Sequence, residues 1–255
     1  LAGGQQRLPV PDTTDEIHRL AVTLNQMIER LARAFERESR FVADASHELR
    51  TPIAVIKVEL EAALLNRDRP DEVTESLRAA IDECDRLAQL AEDLLALART
   101  ADGGPPLTLE RVQVVDLLDE VAQRFIDRAR RHHRRCAVHV EGDPVIDGDR
   151  LALRQALSNL VDNALRHGAG DVQLRAASHG SAVHLDVIDQ GPGFDPELAP
   201  RAFERFSRGV PARTRGGAGL GLAIVDSIAR AHGGTAAIIG GHPTTVRLTL
   251  PRSVR

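Results

Sequence analysis

His47 is followed directly by Glu48 and, one helical turn on, by Thr51 and Pro52. A solvent-facing imidazole can be neutral near pH 7 and is then nucleophilic. A carboxylate beside it can orient the ring or take its proton. Thr51 is four residues from His47, which puts its hydroxyl on the same face of a helix. Pro52 lacks the backbone donor that would bond the carbonyl of Glu48, so a bend is expected just after the histidine. A lone exposed histidine beside a tolerated proline would be unremarkable. Here the whole segment 41–52, FVADASHELRTP, has to be explained.

Three further groups lie in the second half of the chain. Asn159 and Asn163 are four apart on one helix face, inside NLVDNALRH. Carboxamides in an otherwise apolar helix are costly without a partner, and an amide oxygen suits a hard cation such as Mg²⁺. Two surface asparagines are the plain alternative. Asp189 closes an apolar run and opens DQGPGF, with Gly191 and Gly193. A carboxylate there can accept from an exocyclic amine such as adenine N6, and the glycines let a ligand approach the backbone. Gly216, Gly217, Gly219 and Gly221 surround Leu220 and open a helical pattern, so their backbone amides suit phosphate. No Gly-Lys-Ser/Thr follows and no strand precedes, which excludes a P-loop and a dinucleotide fingerprint.

The elements that must carry these residues divide the chain in two. Only Gly3 and Gly4 precede residue 100, and the other glycines follow. Apolar residues from Ile17 to Leu65 keep a helical period; Val42, Ala45, Leu49, Pro52, Ile56, Leu60 and Ala63 step by threes and fours. That stripe puts Ala45 and Leu49 inside and His47 outside. After a break at 66–70, Val73, Leu77, Ala80, Cys84, Leu87, Ala91, Leu94 and Ala98 form an unbroken heptad repeat. Two such helices make a hairpin, and a hairpin leaves apolar surface that pairing into a four-helix bundle would cover. Ala101 to Pro106 has linker composition. Beyond it, helices are expected over 112–131, 149–167 and 220–232. Strands are expected over 136–141, 171–177, 182–189, 235–239 and 245–250. The fold class is therefore α+β multidomain: a dimerising helical hairpin, then an α/β sandwich with one long glycine-rich loop.

Composition narrows the function. The formal net charge is −4 with 33 Lys+Arg against 37 Asp+Glu, which argues against a nucleic-acid binder. Hydrophobic residues make up 42% and aromatic ones 2%, so aliphatic cores form. Lys57 is the sole lysine, a skew typical of GC-rich coding. Cys84 and Cys136 are too few and too far apart for a disulfide scaffold or a zinc site. Cys84, on a heptad core position, is expected as a buried inert thiol. No run of eighteen apolar residues occurs, and no N-terminal stretch resembles a signal peptide. The chain opens mid-pattern without Met and reads as part of a longer protein. The basic run 130–135, RRHHRR, is expected to be a solvated helix C-terminus, where cations suit the dipole.

The segment 41–52 resembles the phosphoacceptor box of two-component sensor histidine kinases. The motifs at 159–167, 189–194 and 216–222, in that order, resemble the ATP-binding domain those kinases share with type II topoisomerases, a heat-shock chaperone and mismatch-repair ATPases. Phe203 to Arg208 is similar to the kinases' phenylalanine box, with Phe203 and Phe206 anchoring a mobile lid over 207–218. The resemblance covers about residues 8–252. It implies that His47 accepts a phosphoryl group on a ring nitrogen, Glu48 assists, and Thr51 positions water for dephosphorylating a response regulator. It also implies ATP and Mg²⁺ as cofactors, with Asn163 on the metal and Asn159, Arg166 and His167 near the phosphates. Asp189 would meet adenine, with Gly191 and Gly193 beside it. Arg208 would meet the γ-phosphate, and Gly217, Gly219, Leu220 and Gly221 would form the loop. At His167 family members often carry Lys or Tyr.

Val10-Pro11 and 15–21 resemble the last helix of a HAMP signal-relay module. The implied organisation is 1–31 HAMP-like helix, 32–101 dimerisation and phosphotransfer hairpin, 102–106 linker and 107–252 ATP-binding domain. The expected partners are a second copy, a response regulator receiver domain, no nucleic acid, and a membrane only through preceding segments. The chain would be the cytoplasmic portion of a bacterial inner- or plasma-membrane protein. The expected activity is ATP-dependent autophosphorylation of His47 and phosphotransfer to an Asp. The alternatives are a regulator phosphatase, a non-catalytic dimeric scaffold, or a hydrolytic ATP clamp.

Overall fold

Two helices take up most of the first hundred residues. A computed structural model describes residues 8–9, 16–100, 106–207 and 219–253. Arg208 and Gly217, most of the lid, most of the linker, and Val10, Pro11 and Asp15 lie outside these. The chain divides into two compact units, Leu1–Leu87 and Ala88–Arg255.

In the first unit, α1 runs from Glu16 to Leu65 and α2 starts at Pro70. The helix continues unbroken across Pro52. Thr51 Oγ1 donates to the carbonyl of His47 at 3.3 Å, giving a helix carbonyl near the proline a second partner. The turn between the helices closes with Arg69 N donating to the Asn66 carbonyl at 2.8 Å, and proline opens α2, where its missing donor costs nothing. Along α1, Ala45 and Pro52 are buried while Leu31, Val58 and Leu64 are 72%, 61% and 75% exposed. Cys84 is exposed, not buried as expected, because one chain alone does not cover the heptad face.

The last turns of α2, up to Thr100, belong to the second unit. There the buried stripe is Leu90, Asp93, Ala96 and Leu97. The heptad positions Ala91 and Ala98 are exposed instead. The apolar period therefore changes face where the helix meets its second environment.

The rest of the second unit is a layer of helices on a sheet. β1 (Glu110–Gln113) pairs antiparallel with β3 (Val145–Gly148). α3 is Val114–Arg131, α4 Arg150–His167 and α5 Gly221–Ala231. β2 (Cys136–Val140), β4 (Val172–His179), β5 (Ala182–Asp189), β7 (Thr244–Pro251) and β6 (Thr235–Ile238) form a second sheet in that spatial order. Only β2–β4 is parallel. Val172, Leu174, Val183, Leu185, Leu248 and Leu250 point into the core, against Leu117, Leu157, Leu160 and Ile224 of the helices. The opposite face is polar: Arg247 makes two 2.7 Å bonds to Asp186 across the ladder.

The small β1–β3 sheet was not expected. Residues 112–113 sit in a strand rather than at the start of a helix, because their pairing partners, Ile146 and Val145, are distant in sequence and leave no local period. β1 and β3 frame the start of α4. The Asp149 side chain accepts from Ala152 N at 3.0 Å, a helix N-cap. Asp149 N in turn donates to Nε2 of buried His232 at 2.9 Å.

Candidate functional site

His47 lies exposed on α1, with Ala45 buried beneath it, as the heptad phase requires. Glu48 is half-buried and Thr51 exposed. His47 and Thr51 are one turn apart, so their side chains share a face. This constellation is complete within one helix.

The second constellation is built by α4 and its neighbours. Asn159 and Asn163 are both half-buried on that helix. Asn159 Nδ2 is buried and has no hydrogen-bond partner among the described residues. Its side chain lies next to Gly221, the first residue of α5: a Cβ on Gly221 would be 3.8 Å from Asn159 Cβ. Leu220, the N-cap residue of α5, makes no side-chain cap and is buried. An amide donor without a partner beside a helix N-terminus is an arrangement that phosphate oxygens could complete. Gly219 has φ +68, and a Cβ there would stand 2.8 Å from the Ser207 carbonyl. Phe206 N donates to the Gly219 carbonyl at 2.9 Å, so the described ends of the glycine-rich loop meet. Among the described residues, no three His, Cys, Asp or Glu side chains are placed to hold a metal ion. A Mg²⁺ ion here would use Asn163, phosphate oxygens and water, which suits its preference for oxygen ligands.

Arg166 Nε pairs with Asp162 at 2.7 Å, and Arg128 Nη1 reaches the same carboxylate at 2.5 Å. Asp162, which the sequence did not single out, holds Arg166 from one turn away. His167 lies at the surface beyond them. Burial on one side, together with the Arg166 guanidinium, holds its pKa below the usual imidazole range.

Asp189 ends β5 and is buried. Its Oδ1 accepts from Gly191 N at 2.6 Å. Gly191 is buried, and its carbonyl meets His242 Nδ1 at 3.0 Å. A Cβ on Gly193 would stand 2.5 Å from the Gly241 carbonyl. The turn after α4 closes the other side, for Gly168 rests directly on Asp189. Gly168 was missed in the sequence because its tightest contact, with Asp189, comes from across the fold.

Three family models match in chain order. They are the HAMP domain over residues 4–33, the His Kinase A (phospho-acceptor) domain over 37–103, and the histidine kinase-, DNA gyrase B- and HSP90-like ATPase over 148–254. The chain belongs to the two-component sensor histidine kinases. Among its relatives, the probable sensor histidine kinase TcrY of Mycobacterium tuberculosis is 38% identical over 90% of this chain and 50% of its own length. The histidine-protein kinase/phosphatase MprB of Mycolicibacterium smegmatis is 36% identical over 95% of this chain and 52% of its own. The solved Acinetobacter baumannii histidine kinase AdeS superposes with a TM-score of 0.67 at 25% identity, covering 82% of this chain and 98% of that one. The chain spans about half the length of the curated relatives it matches. Among the described residues, no helix of this histidine kinase chain is long and apolar enough to cross a membrane.

Proposed function

We propose that this chain autophosphorylates on His47 at the expense of ATP and passes the phosphoryl group to an Asp of a response regulator receiver domain. The observation that carries the reading is Asn159 Nδ2, buried without a hydrogen-bond partner among the described residues beside the start of α5, in a chain that also presents His47 exposed next to Glu48. In the first step the bond between the γ-phosphorus and the β,γ-bridging oxygen breaks and a bond to a ring nitrogen of His47 forms; ADP leaves. Glu48 orients the ring and accepts its proton. Asn163 would hold Mg²⁺, which would supply charge neutralisation at the phosphates. Asn159 donates toward phosphate, with Arg166, His167 and the amides around Gly219, Leu220 and Gly221 contributing; Arg208 and Gly217, which lie outside the described residues, are proposed for the same role. Asp189 accepts from the adenine amine between Gly191 and Gly193.

The proposed organisation is a HAMP-like helix over 1–31, a phosphotransfer hairpin over 32–101, a linker over 102–106 and the ATP-binding domain over 107–252. The uncovered apolar residues of α1, Leu31, Val58 and Leu64 among them, support pairing with a second copy into a four-helix bundle. The parent protein is anchored in a membrane through segments preceding this chain, which works on the cytoplasmic side.

A second activity has its own observation. Thr51 is exposed on the His47 face, where a hydroxyl can hold water in line with a receiver aspartyl phosphate. We assign the chain regulator phosphatase activity alongside the kinase.

Incubation with γ-labelled ATP and Mg²⁺ tests the reading. Acid-labile, base-stable label on the chain, absent from His47→Gln, is the expected result. Nucleotide binding with no label on the wild-type chain would favour a non-catalytic scaffold.

A further inference from the structure

The basic run at 130–135 does not behave as one solvated helix end. Arg130 and Arg131 are exposed at the end of α3. At His133, with φ +55, the chain turns, and Arg134 folds back against the far end of α4. Its Nη1 donates to the carbonyls of Ala164 at 3.0 Å, Leu165 at 3.2 Å and Gly168 at 3.3 Å. Nη2 donates to Ala169 at 3.1 Å, and Nε to Gly170. A guanidinium has five N–H bonds. Five carbonyls here engage all three of its nitrogens, so its donors are directed at the backbone rather than at a phosphate. It caps α4 from outside, with a cation where the helix dipole favours one.

The same turn supports Asp189. The Ala169 carbonyl that accepts from Arg134 also accepts from Gln190 N at 2.8 Å. Gly168 lies against the Asp189 carboxylate, and a Cβ on Gly170 would stand 2.3 Å from Gln190 Oε1. On the far side, Asp171 accepts from Arg135 N at 2.8 Å and Arg135 Nε at 2.9 Å, so the turn is bracketed by consecutive arginines. Burial works against the charge on Arg134, while Asp189 and Asp171 favour it.

We propose that Arg134 is a positioning residue for base recognition: it fixes the turn 168–170 on which Asp189 and Gln190 rest, and thereby sets selectivity for adenine over a base without an exocyclic amine. It touches no reacting atom. The inference rests on the reading of Asp189 as the adenine contact. A carboxylate held in place discriminates by leaving a buried acceptor unpaired when the amine is missing. A loosened turn lets Asp189 drift, and that penalty fades. Lysine does not substitute, because one ammonium carries three donors at a point and cannot span five carbonyls.

The test is equilibrium binding of Mg·ATP and Mg·ITP to the full chain, by displacement of a fluorescent nucleotide, together with the rate of His47 labelling at saturating ATP. Wild type should prefer ATP by about tenfold or more. Arg134→Ala and Arg134→Lys should both lose about tenfold in ATP affinity, change ITP affinity by less than about threefold, and keep the saturated rate within about threefold. Arg131→Ala, from the same run, should match wild type. If Arg134→Ala does not fold, Arg134→Lys carries the measurement. Unchanged ATP affinity in the variants overturns the proposal. So does an equal fall for ATP and ITP, which would mean general structural damage. A wild-type chain that binds both nucleotides equally removes the Asp189 reading and this proposal with it; that failure shows in the unsubstituted chain.

Discussion

A methyl group on Gly168 would stand 2.3 Å from Oδ1 of Asp189. The φ of Gly168 is −85, which any residue can adopt, so the demand for glycine here is purely one of space. Gly168→Ala must push the carboxylate or the turn aside. Nucleotide affinity should fall by about tenfold or more while the chain stays folded at assay temperature. Titration of wild type and variant with a fluorescent ATP analogue checks this, and equal affinities would show that Asp189 is not held by this contact.

Asn163→Ala should abolish Mg²⁺-dependent labelling of His47 and leave the melting profile near that of wild type, since the residue is only half-buried. Labelling assays across a Mg²⁺ series decide it. Wild-type labelling at low Mg²⁺ would remove Asn163 from the metal.

Thr51→Ala should separate the two proposed activities. Among the described residues the hydroxyl bonds to a helix carbonyl alone, at 3.3 Å, and alanine is the better helix former. Label on His47 should be near normal, and a phosphorylated receiver domain should keep its phosphate much longer with the variant present. If both rates fall together, Thr51 is shaping the helix beside Pro52.

Asp93 is buried on α2, accepts a 3.0 Å bond from Gln89 Nε2, and faces Asp162 and Arg166. Burial pushes its pKa up to about 6, and neighbouring Asp162 and Glu92 add to the rise. A carboxyl raised in the folded state binds its proton more tightly there than in the unfolded chain. Stability is therefore lost as pH rises from about 4 to about 6, a penalty of roughly 3 kcal/mol above that window. Asp93→Asn keeps an acceptor for Gln89 and removes the charge. Thermal melts should show the variant more stable than wild type at pH 8, with the gain shrinking as pH falls toward 4. A gain independent of pH would mean that Asp93 is not charged when buried.

The local signals were legible because each is covalently local. The His47 segment carries its nucleophile, its acid–base partner and its hydroxyl within one helical turn, and the apolar period alone places His47 outside and Ala45 inside. Asn159 and Asn163 share a helix face for the same reason. The hairpin and the alternation of helices and strands after residue 106 both follow from period and turn chemistry. The four-residue strands β1 and β3 were not legible, since a strand that short has no period of its own. Nor was the change of face along α2, where Leu90, Asp93 and Leu97 replace the heptad positions as the buried stripe.

Sequence by itself determined which groups could react and which elements carry them. Tertiary structure alone decided what lies against what. Gly168 needs glycine because the Asp189 carboxylate, brought in by β5, and the Ala164 carbonyl both occupy the space of a Cβ. Asp162 matters because Arg128, from another helix, shares it with Arg166. Arg134 stands in a run that looks like an ordinary charged helix end, yet its guanidinium engages carbonyls thirty or more residues away. Such contacts depend on chain reversal at His133 and on the packing of α3 beside α4. No spacing rule along the chain encodes them, because they are properties of distance in space.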